Sequence, residues 1–402
     1  MPTFPLEATL IRTCGGSKTH PGEPAQLGRS ARGQQERRAE KDPERISLRF
    51  PQHERRGAAP EPVAAGEPPV GCPEGLESKQ VGITHVLALD IGGTKLAAGI
   101  VDDAGTLLDV ERTPTHVEEG PDRVVERLLG LGRTLLGRSA VRVRGVGVGC
   151  GGPLDTERGL VQNPPNLPGW HDYPLVGRLE DALGLPVALD NDANAAALAE
   201  FRFGAGRGCR HMVYLTISTG IGSGLILDGE LYRGKRGNAG ELGHLQVKYD
   251  GRPCNCGGRG CLEAYASGTS IARRARERAE QHPGSLLARL TPSLPDLSAE
   301  TVLEALHAGD AVAWNLWEET LDLLAAGVAS MVNAFDPERV VIGGGITNFG
   351  DLLFPPLRER VAGRAMPALA QGVGIYPAEL AEHVGVLGAA AVALRERQEV
   401  LV

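Results

Sequence analysis

Two stretches of this chain spell the same unit. VLALD-IGGTK-LAAGIVDDAGTLL, from Val86 to Leu108, and VYLTIS-TGIGSG-LILDGELYRG, from Val213 to Gly234, each read strand, glycine turn, strand, Asp-containing turn, strand. A short apolar run that ends in a glycine turn and resumes as a second run is the signature of a tight strand pair. Two copies of one supersecondary unit, more than a hundred residues apart, predict two related domains facing each other.

The rest of the chain supplies helices between the strands. Pro121 to Gly137 has an early proline and apolar residues at Val124, Val125, Leu128, Leu131 and Leu135, which is helical spacing. A buried strand follows over Val143–Cys150, then a loop (GGPLDTERGLVQNPPNLPGW), a helix over Leu175–Leu183, the strand PVALD and a helix from Asn191. After the second unit, helices are expected over Leu262–Gln281, Ala299–Ala308 and Ala311–Phe335. The strand RVVIGGG, a helix from Asp351, the short strand GVGIYPA and a last helix over Gly385–Arg397 complete the chain. Strands alternating with helices make the class α/β.

Gly240 to Glu263 reads GELGHLQVKYDGRPCNCGGRGCLE, with Cys254, Cys256 and Cys261 within eight residues and His244 ten residues before the first of them. Three thiolates and one imidazole complete a tetrahedral Cys3His set of the kind Zn2+ takes in structural sites. A glycine-rich surface turn with free thiols is the bland alternative. Glu241 and Glu263 bracket the loop, and a metal would bring both carboxylates to one place, where they could accept several sugar hydroxyls. On spacing alone they are equally solvated loop charges.

Asp90-Ile-Gly-Gly-Thr-Lys95 lies at a strand end, where Gly92 and Gly93 let backbone N–H groups approach phosphate oxygens and Thr94 and Lys95 add donors. A plain hairpin would use the same glycines. The second copy, Ser218 to Gly224, adds Thr219 and Gly220, and neither copy is the G-x-x-x-x-G-K-[ST] P-loop. The hydroxyls of Ser218 and Ser223 could face solvent. Asp190-Asn-Asp192-Ala-Asn194 ends a strand and opens a helix. Asn191 or Asp192 could serve there as a plain N-cap, yet a strand's C-terminal edge in an α/β fold is also where ligands bind. A carboxylate in that place could take a hydroxyl proton during phosphoryl transfer.

The cysteine stretch matches the GHx9CxCGxxGCxE signature at every position, and in this it resembles the ROK family (repressors, open reading frames, kinases). The resemblance covers residues 85 to 397. It implies an actin-like ATPase (ribonuclease H-like) α/β fold, with two domains around a cleft. These would be a small domain over 81–198, onto which the helix 385–397 packs back, and a large one over 199–384 that carries the zinc loop 244–263. It further implies phosphorylation of glucose by ATP, with Asp192 as general base on the 6-hydroxyl. Gly152, Asn191, Glu241, His244 and Glu263 would bind the sugar. Asp90, Gly92, Gly93, Thr94, Lys95, Thr219, Gly220, Gly344 and Gly345 would bind the nucleotide. Asp90 is also placed to hold Mg2+, through one carboxylate with phosphate oxygens and water, and His244, Cys254, Cys256 and Cys261 would hold structural Zn2+. Another hexose (N-acetylmannosamine, N-acetylglucosamine or fructose) and a sugar-sensing transcription regulator are the alternatives; NLPGW at Asn166–Trp170 favours glucose. A homodimer is the expected assembly.

Composition excludes some classes. No apolar run reaches the roughly 18 to 20 residues that span a bilayer, and a formal charge of -8 argues against nucleic acid as partner. The other cysteines of the seven, Cys14, Cys72, Cys150 and Cys209, are scattered, which favours the reducing cytoplasm over a disulfide framework. Residues 1–80 differ from everything after them: 11 of the 28 prolines lie there, and 12 Lys and Arg stand against 11 Asp and Glu. Such a segment buries too little apolar surface to offset its ordering entropy. It reads as a disordered tail, or as an untranslated stretch upstream of a start near Val70 or Val81, with neither consecutive amphipathic helices nor a basic face for DNA.

Overall fold

The computed structural model describes residues 84–400, and the segment read as a tail lies outside them. The first half runs β1 (His85–Ile91), β2 (Lys95–Asp102), β3 (Leu107–Pro114), α1 (Pro121–Arg138), β4 (Val143–Cys150), the short pair β5 (Leu154–Asp155) and β6 (Leu160–Val161), α2 (Leu175–Leu183), β7 (Val187–Asn191) and α3 (Asp192–Phe203). The second half runs β8 (Met212–Ile217), β9 (Ile221–Leu227), β10 (Glu230–Leu231), α4 (Glu263–Ala266), α5 (Gly268–Gln281), α6 (Ala299–His307) and α7 (Ala311–Phe335). It continues through β11 (Arg339–Gly343), α8 (Phe354–Ala362), α9 (Pro367–Ala370), β12 (Gly374–Pro377) and α10 (Val384–Val400).

The duplicated unit becomes a duplicated sheet. One five-stranded sheet has the order β3-β2-β1-β4-β7 and the other β10-β9-β8-β11-β12. In each, the strand before the glycine turn pairs antiparallel with the strand after it, and parallel with the strand that follows a helical crossover. Register then decides where the glycine turns go. Ile91 lies opposite Cys150, and Cys150 opposite Asn191, so the C-terminal ends of β1, β4 and β7 finish level. In the second sheet Thr216 pairs with Gly343, which levels the ends of β8 and β11.

Three layers of apolar packing hold this in place. α1 and α2 cover one face of the first sheet through Val124, Leu128, Leu135, Leu175 and Leu179. α5 to α8 cover the second through Ile271, Trp317, Leu324, Val328 and Leu357. α3 carries buried alanines from Ala195 to Ala199, and α10 returns from the C-terminus to lie on the first sheet beside it, with Ala389, Ala390 and Ala393 against Val86, Ala88 and Ala97. Small residues let these backbones close. A β-carbon at Gly147 would overlap the carbonyl oxygen of Ala389 and lie 2.8 Å from its carbon, so α10 rests on the backbone of β4.

Several expected elements are altered by local chemistry. The helix expected over Leu262–Gln281 breaks at Ser267, whose side chain accepts the Ser270 N–H at 3.2 Å, while the Gly268 N–H turns to the Ser218 carbonyl at 2.7 Å. The helix expected from Asp351 begins at Phe354, because the preceding residues form 3-10 turns interrupted at Gly350, which has a positive φ of 50°. The loop after Cys150 folds back into the β5–β6 hairpin.

Replacing Gly147 by Ala is expected to lower Tm by roughly 5 to 10 °C, as overpacking a tight core costs about 3 kcal/mol when backbone must yield. Differential scanning calorimetry measures it, and an unchanged Tm would mean that α10 does not rest on β4.

Candidate active site

The first glycine turn closes on itself. The Gly92 N–H donates to the Lys95 carbonyl at 3.0 Å, and a β-carbon on Gly92 would lie 2.9 Å from that same oxygen, so the turn requires glycine. Thr115 braces it, its hydroxyl donating to the Gly92 carbonyl at 2.6 Å and its N–H to the Thr94 carbonyl at 3.0 Å. Thr94 and Lys95 are exposed on the turn. At its base stands Asp90, whose carboxylate accepts no hydrogen bond from another described residue. Burial, and next the nearby Asp192 carboxylate, push its pKa up to about 6, against the pull of Lys95 and Arg112.

Asn191 and Asp192 stand at the end of β7, one strand beyond the end of β4. Asn191 is the N-cap of α3: its Oδ1 accepts the Ala193 N–H at 2.9 Å. Its Nδ2 lies over Gly152, 2.9 Å from where a β-carbon would sit, so one side chain both caps the helix and closes on Gly152. Asp192 opens α3, with Oδ1 accepting the Ala193 N–H at 2.8 Å. The surrounding protein strips water from it and raises its pKa. Asp190, fully buried, fixes this strand end. Its Oδ1 accepts from the Asn191 N–H at 2.8 Å and from Asn194 Nδ2 at 3.0 Å, and its Oδ2 takes Arg233 Nε at 2.8 Å. Arg233 follows β10, so this buried ion pair ties the first sheet to the second.

The second turn opens onto a cavity of about 410 Å3. Ser218 and Thr219 line it with Thr269 and Arg276 of α5, and Gly345 and Phe349 close its far side. Gly344 has a φ of 84°, and a β-carbon there would lie 2.8 Å from the carbonyl carbon of Ile217, so the third glycine segment seats on the end of β8. Thr219 and Gly345, named from sequence, line this one cavity, whereas a β-carbon on Gly220 would meet Glu263 Oε2 at 2.7 Å.

The cysteine loop doubles back on itself through a Gln246–Cys261 bridge and a Cys254 N–H to Gly258 carbonyl bond of 2.9 Å. It gathers His244, Cys254, Cys256 and Cys261, with all four ligand atoms within 4.8 Å of one another. Cys256 Sγ and Cys261 Sγ are 3.7 Å apart, and Cys254 Sγ lies 3.6 Å from His244 Nδ1. A tetrahedral ion with Zn–S bonds of about 2.3 Å sets edges of about 3.8 Å, so the spacing fits zinc. Ion pairs hold the loop from outside as well: Arg252 to Glu277 at 2.8 Å, and Lys248 to Glu319 at 3.7 Å.

Glu263 reaches further than the sequence suggested. Its Oε2 accepts the Ile221 N–H at 2.8 Å, which fastens the end of the cysteine loop to the second glycine turn. Ser223 does not face solvent: its hydroxyl is buried, accepting the Leu242 N–H at 2.9 Å and bonding the Gly240 carbonyl. It holds the two neighbours of Glu241, which stands exposed and without a cap bond at the start of a short 3-10 turn. No sequence signal marks Ser223, since a serine in a strand reads as either face.

The chain matches the model of the ROK family over residues 86–396. It is 41% identical over 313 residues to a glucokinase of Thermotoga maritima, covering 78% of this chain and 98% of that protein. A ROK hexokinase from Thermus thermophilus has 38% identity and a TM-score of 0.67, covering 79% of this chain and 100% of that one. A ROK family glucokinase from Streptomyces griseus, solved with glucose and AMPPNP, has 34% identity and a TM-score of 0.65, covering 78% and 100%.

The raised pKa of Asp90 makes a stability prediction. Between pH 4 and 6 the folded chain holds a proton there that the unfolded chain has released, so stability falls as pH rises through that window and the penalty is complete above it. Asp90→Asn is therefore expected to raise Tm at pH 8 by several degrees, for at most about 3 kcal/mol, and to leave it unchanged at pH 4. A gain of equal size at both pH values, measured by calorimetry, would contradict the assignment.

Proposed function

The chain belongs to the ROK family, and on that premise we propose that it is a glucokinase, transferring the γ-phosphoryl group of ATP to the 6-hydroxyl of glucose. The observation that carries the reading is the level register of β1, β4 and β7, which sets Asp90, Gly152, Asn191 and Asp192 along one edge. An alcohol held on Gly152 and Asn191 would present its oxygen to Asp192, and a phosphate chain on the first glycine turn would end beside Asp90.

In this reading the sugar hydroxyls bind Asn191, Glu241, His244 and Glu263. As the 6-oxygen forms its bond to phosphorus and the bond to the ADP oxygen breaks, the hydroxyl proton passes to the Asp192 carboxylate. The raised pKa of Asp192 suits it to take that proton. Glycine turns and Lys95 orient the triphosphate, Thr219 and Gly220 face it from the second sheet, and Gly344 and Gly345 border the nucleoside cavity. Mg2+, held by Asp90 with phosphate oxygens, would supply charge neutralisation. Positioning supplies much of the remainder. The lobes moving about the cleft would be residues 81–198 with the C-terminal helix and residues 199–384.

Zn2+ would sit on His244, Cys254, Cys256 and Cys261 with no open coordination position, and so act as a clip. Among the described residues no helix is long and apolar enough to cross a membrane, and the thiols of Cys150 and Cys209 are free and buried. The free thiols support a cytoplasmic enzyme. An intact first turn beside Asp192 favours a kinase over a sugar-sensing regulator, which could dispense with both.

A coupled ADP-release assay over glucose, N-acetylmannosamine, N-acetylglucosamine and fructose is expected to give glucose the highest kcat/KM. In the same assay Asp192→Asn should lower kcat by roughly 10^2 to 10^4 while leaving the KM for glucose near its starting value. Preference for another hexose would move the substrate, and an unchanged kcat would remove Asp192 from the chemistry. Purified chain should contain about one zinc per protomer, and Cys256→Ser should lose both metal and activity because Glu241, His244 and Glu263 lose their common anchor. Full activity in a zinc-free preparation would refute the clip.

A further inference from the structure

Asp90 meets more than phosphate chemistry. The start of α10 faces it, and a β-carbon on Gly385, the second residue of that helix, would lie 2.7 Å from Asp90 Cγ and 3.1 Å from Oδ1, overlapping Oδ2. Carboxylate and helix backbone thus occupy adjoining space with no room for a methyl group. The next turn of α10 is equally close to the other acidic element. A β-carbon on Gly388 would lie 2.8 Å from the carbonyl carbon of Ala195, in the first turn of α3, whose opening residue is Asp192. One helix face therefore touches Asp90 and the base of the element that carries Asp192.

We propose that Gly385 is a positioning residue for phosphoryl transfer: by lacking a side chain it lets α10 close on Asp90 and fix that carboxylate beside Asp192 and the first glycine turn. The Asp192 carboxylate lies close enough to repel the charged form of Asp90, and Asp90 has no hydrogen-bond partner among the described residues to hold it against that repulsion. The backbone of α10 is the wall behind it. Its N-terminal N–H groups also favour a negative charge there, since the first turn of a helix carries partial positive charge. A methyl group at residue 385 would meet the end of a short side chain, so Asp90 would swing away while the helix kept its seat on β4.

The inference rests on the reading of Asp90 as a carboxylate of the donor site, and the test separates the two. Gly385→Ala in the full chain is expected to lower kcat about 100-fold, the size of an ångström-scale misplacement, to raise the Mg2+ concentration needed for half-maximal rate, and to leave KM for glucose within about twofold. Asp90→Asn should also lower kcat, and adding Gly385→Ala to it should cost nothing further, because the two changes act through one carboxylate. Should Gly385→Ala not fold, the double variant Asp90→Ala/Gly385→Ala should recover the fold, since truncating the aspartate frees the space the methyl needs. Wild-type kcat in Gly385→Ala, independent losses that multiply in the double variant, or a double variant that folds no better than a misfolded single one would each overturn the proposal. If Asp90→Asn alone left kcat and the Mg2+ requirement unchanged, the reading of Asp90 would fall and Gly385 with it. A costly Asp90→Asn with a harmless Gly385→Ala would sink the positioning role alone.

Discussion

A helix backbone lying directly on a strand backbone is the contact on which the cleft depends. Gly147 in β4 admits the Ala389 carbonyl, and Gly388 in α10 admits the Ala195 backbone of α3. Three elements thereby lock at distances shorter than side chains would allow. Interiors packed at crystal density transmit displacement rather than absorb it, so the ends of β1 and β7 inherit their spacing from α10. The last helix of the chain thus governs the geometry of residues some two to three hundred positions earlier.

The electrostatics follow from that spacing. Asp90 and Asp192 are drawn together where water is scarce, and both hold protons more tightly than free carboxylates do. Such an arrangement works against the stability of the empty chain and suits a site that receives cations and a hydroxyl proton. On the opposite side the burden is met by pairing. Asp190, fully buried, is satisfied by Asn194, by the Asn191 N–H and by the Arg233 guanidinium, so its charge is compensated, whereas Asp192 accepts the Ala193 N–H and Asp90 has no hydrogen-bond partner among the described residues. Glu263 and Ser223 do the corresponding work in the second sheet, bonding backbone groups that tie the cysteine loop and the approach to Glu241 to the second turn.

Much of this was legible in the sequence because it is local. The duplicated strand, turn and strand became two sheets of one topology, helices α1, α2 and α7 fall within a residue of their apolar periodicity, and the His and Cys spacing converged on one point. The rest was illegible because it is set at long range. Ser267 breaks a helix that its neighbours favour, since a capping bond and the Ser218 carbonyl compete for the same backbone. The buried place of Ser223 could not be read, for nothing nearby in sequence reveals that residues 240 and 242 return to it. Gly385 reads as an ordinary glycine in an alanine-rich helix until the aspartate beside it is seen.

On the proposed reading, one edge assembled by register and helix packing holds the sugar and the phosphate donor for in-line transfer. A crystal structure with glucose and a non-hydrolysable ATP analogue tests it most directly. The 6-hydroxyl is predicted to lie within hydrogen-bond distance of the Asp192 carboxylate, the ring hydroxyls on Asn191, Glu241, His244 and Glu263, and the triphosphate on Gly92 to Lys95 with Asp90 still packed on Gly385. A sugar bound away from Asp192, or a nucleotide that leaves both glycine turns empty, would contradict it.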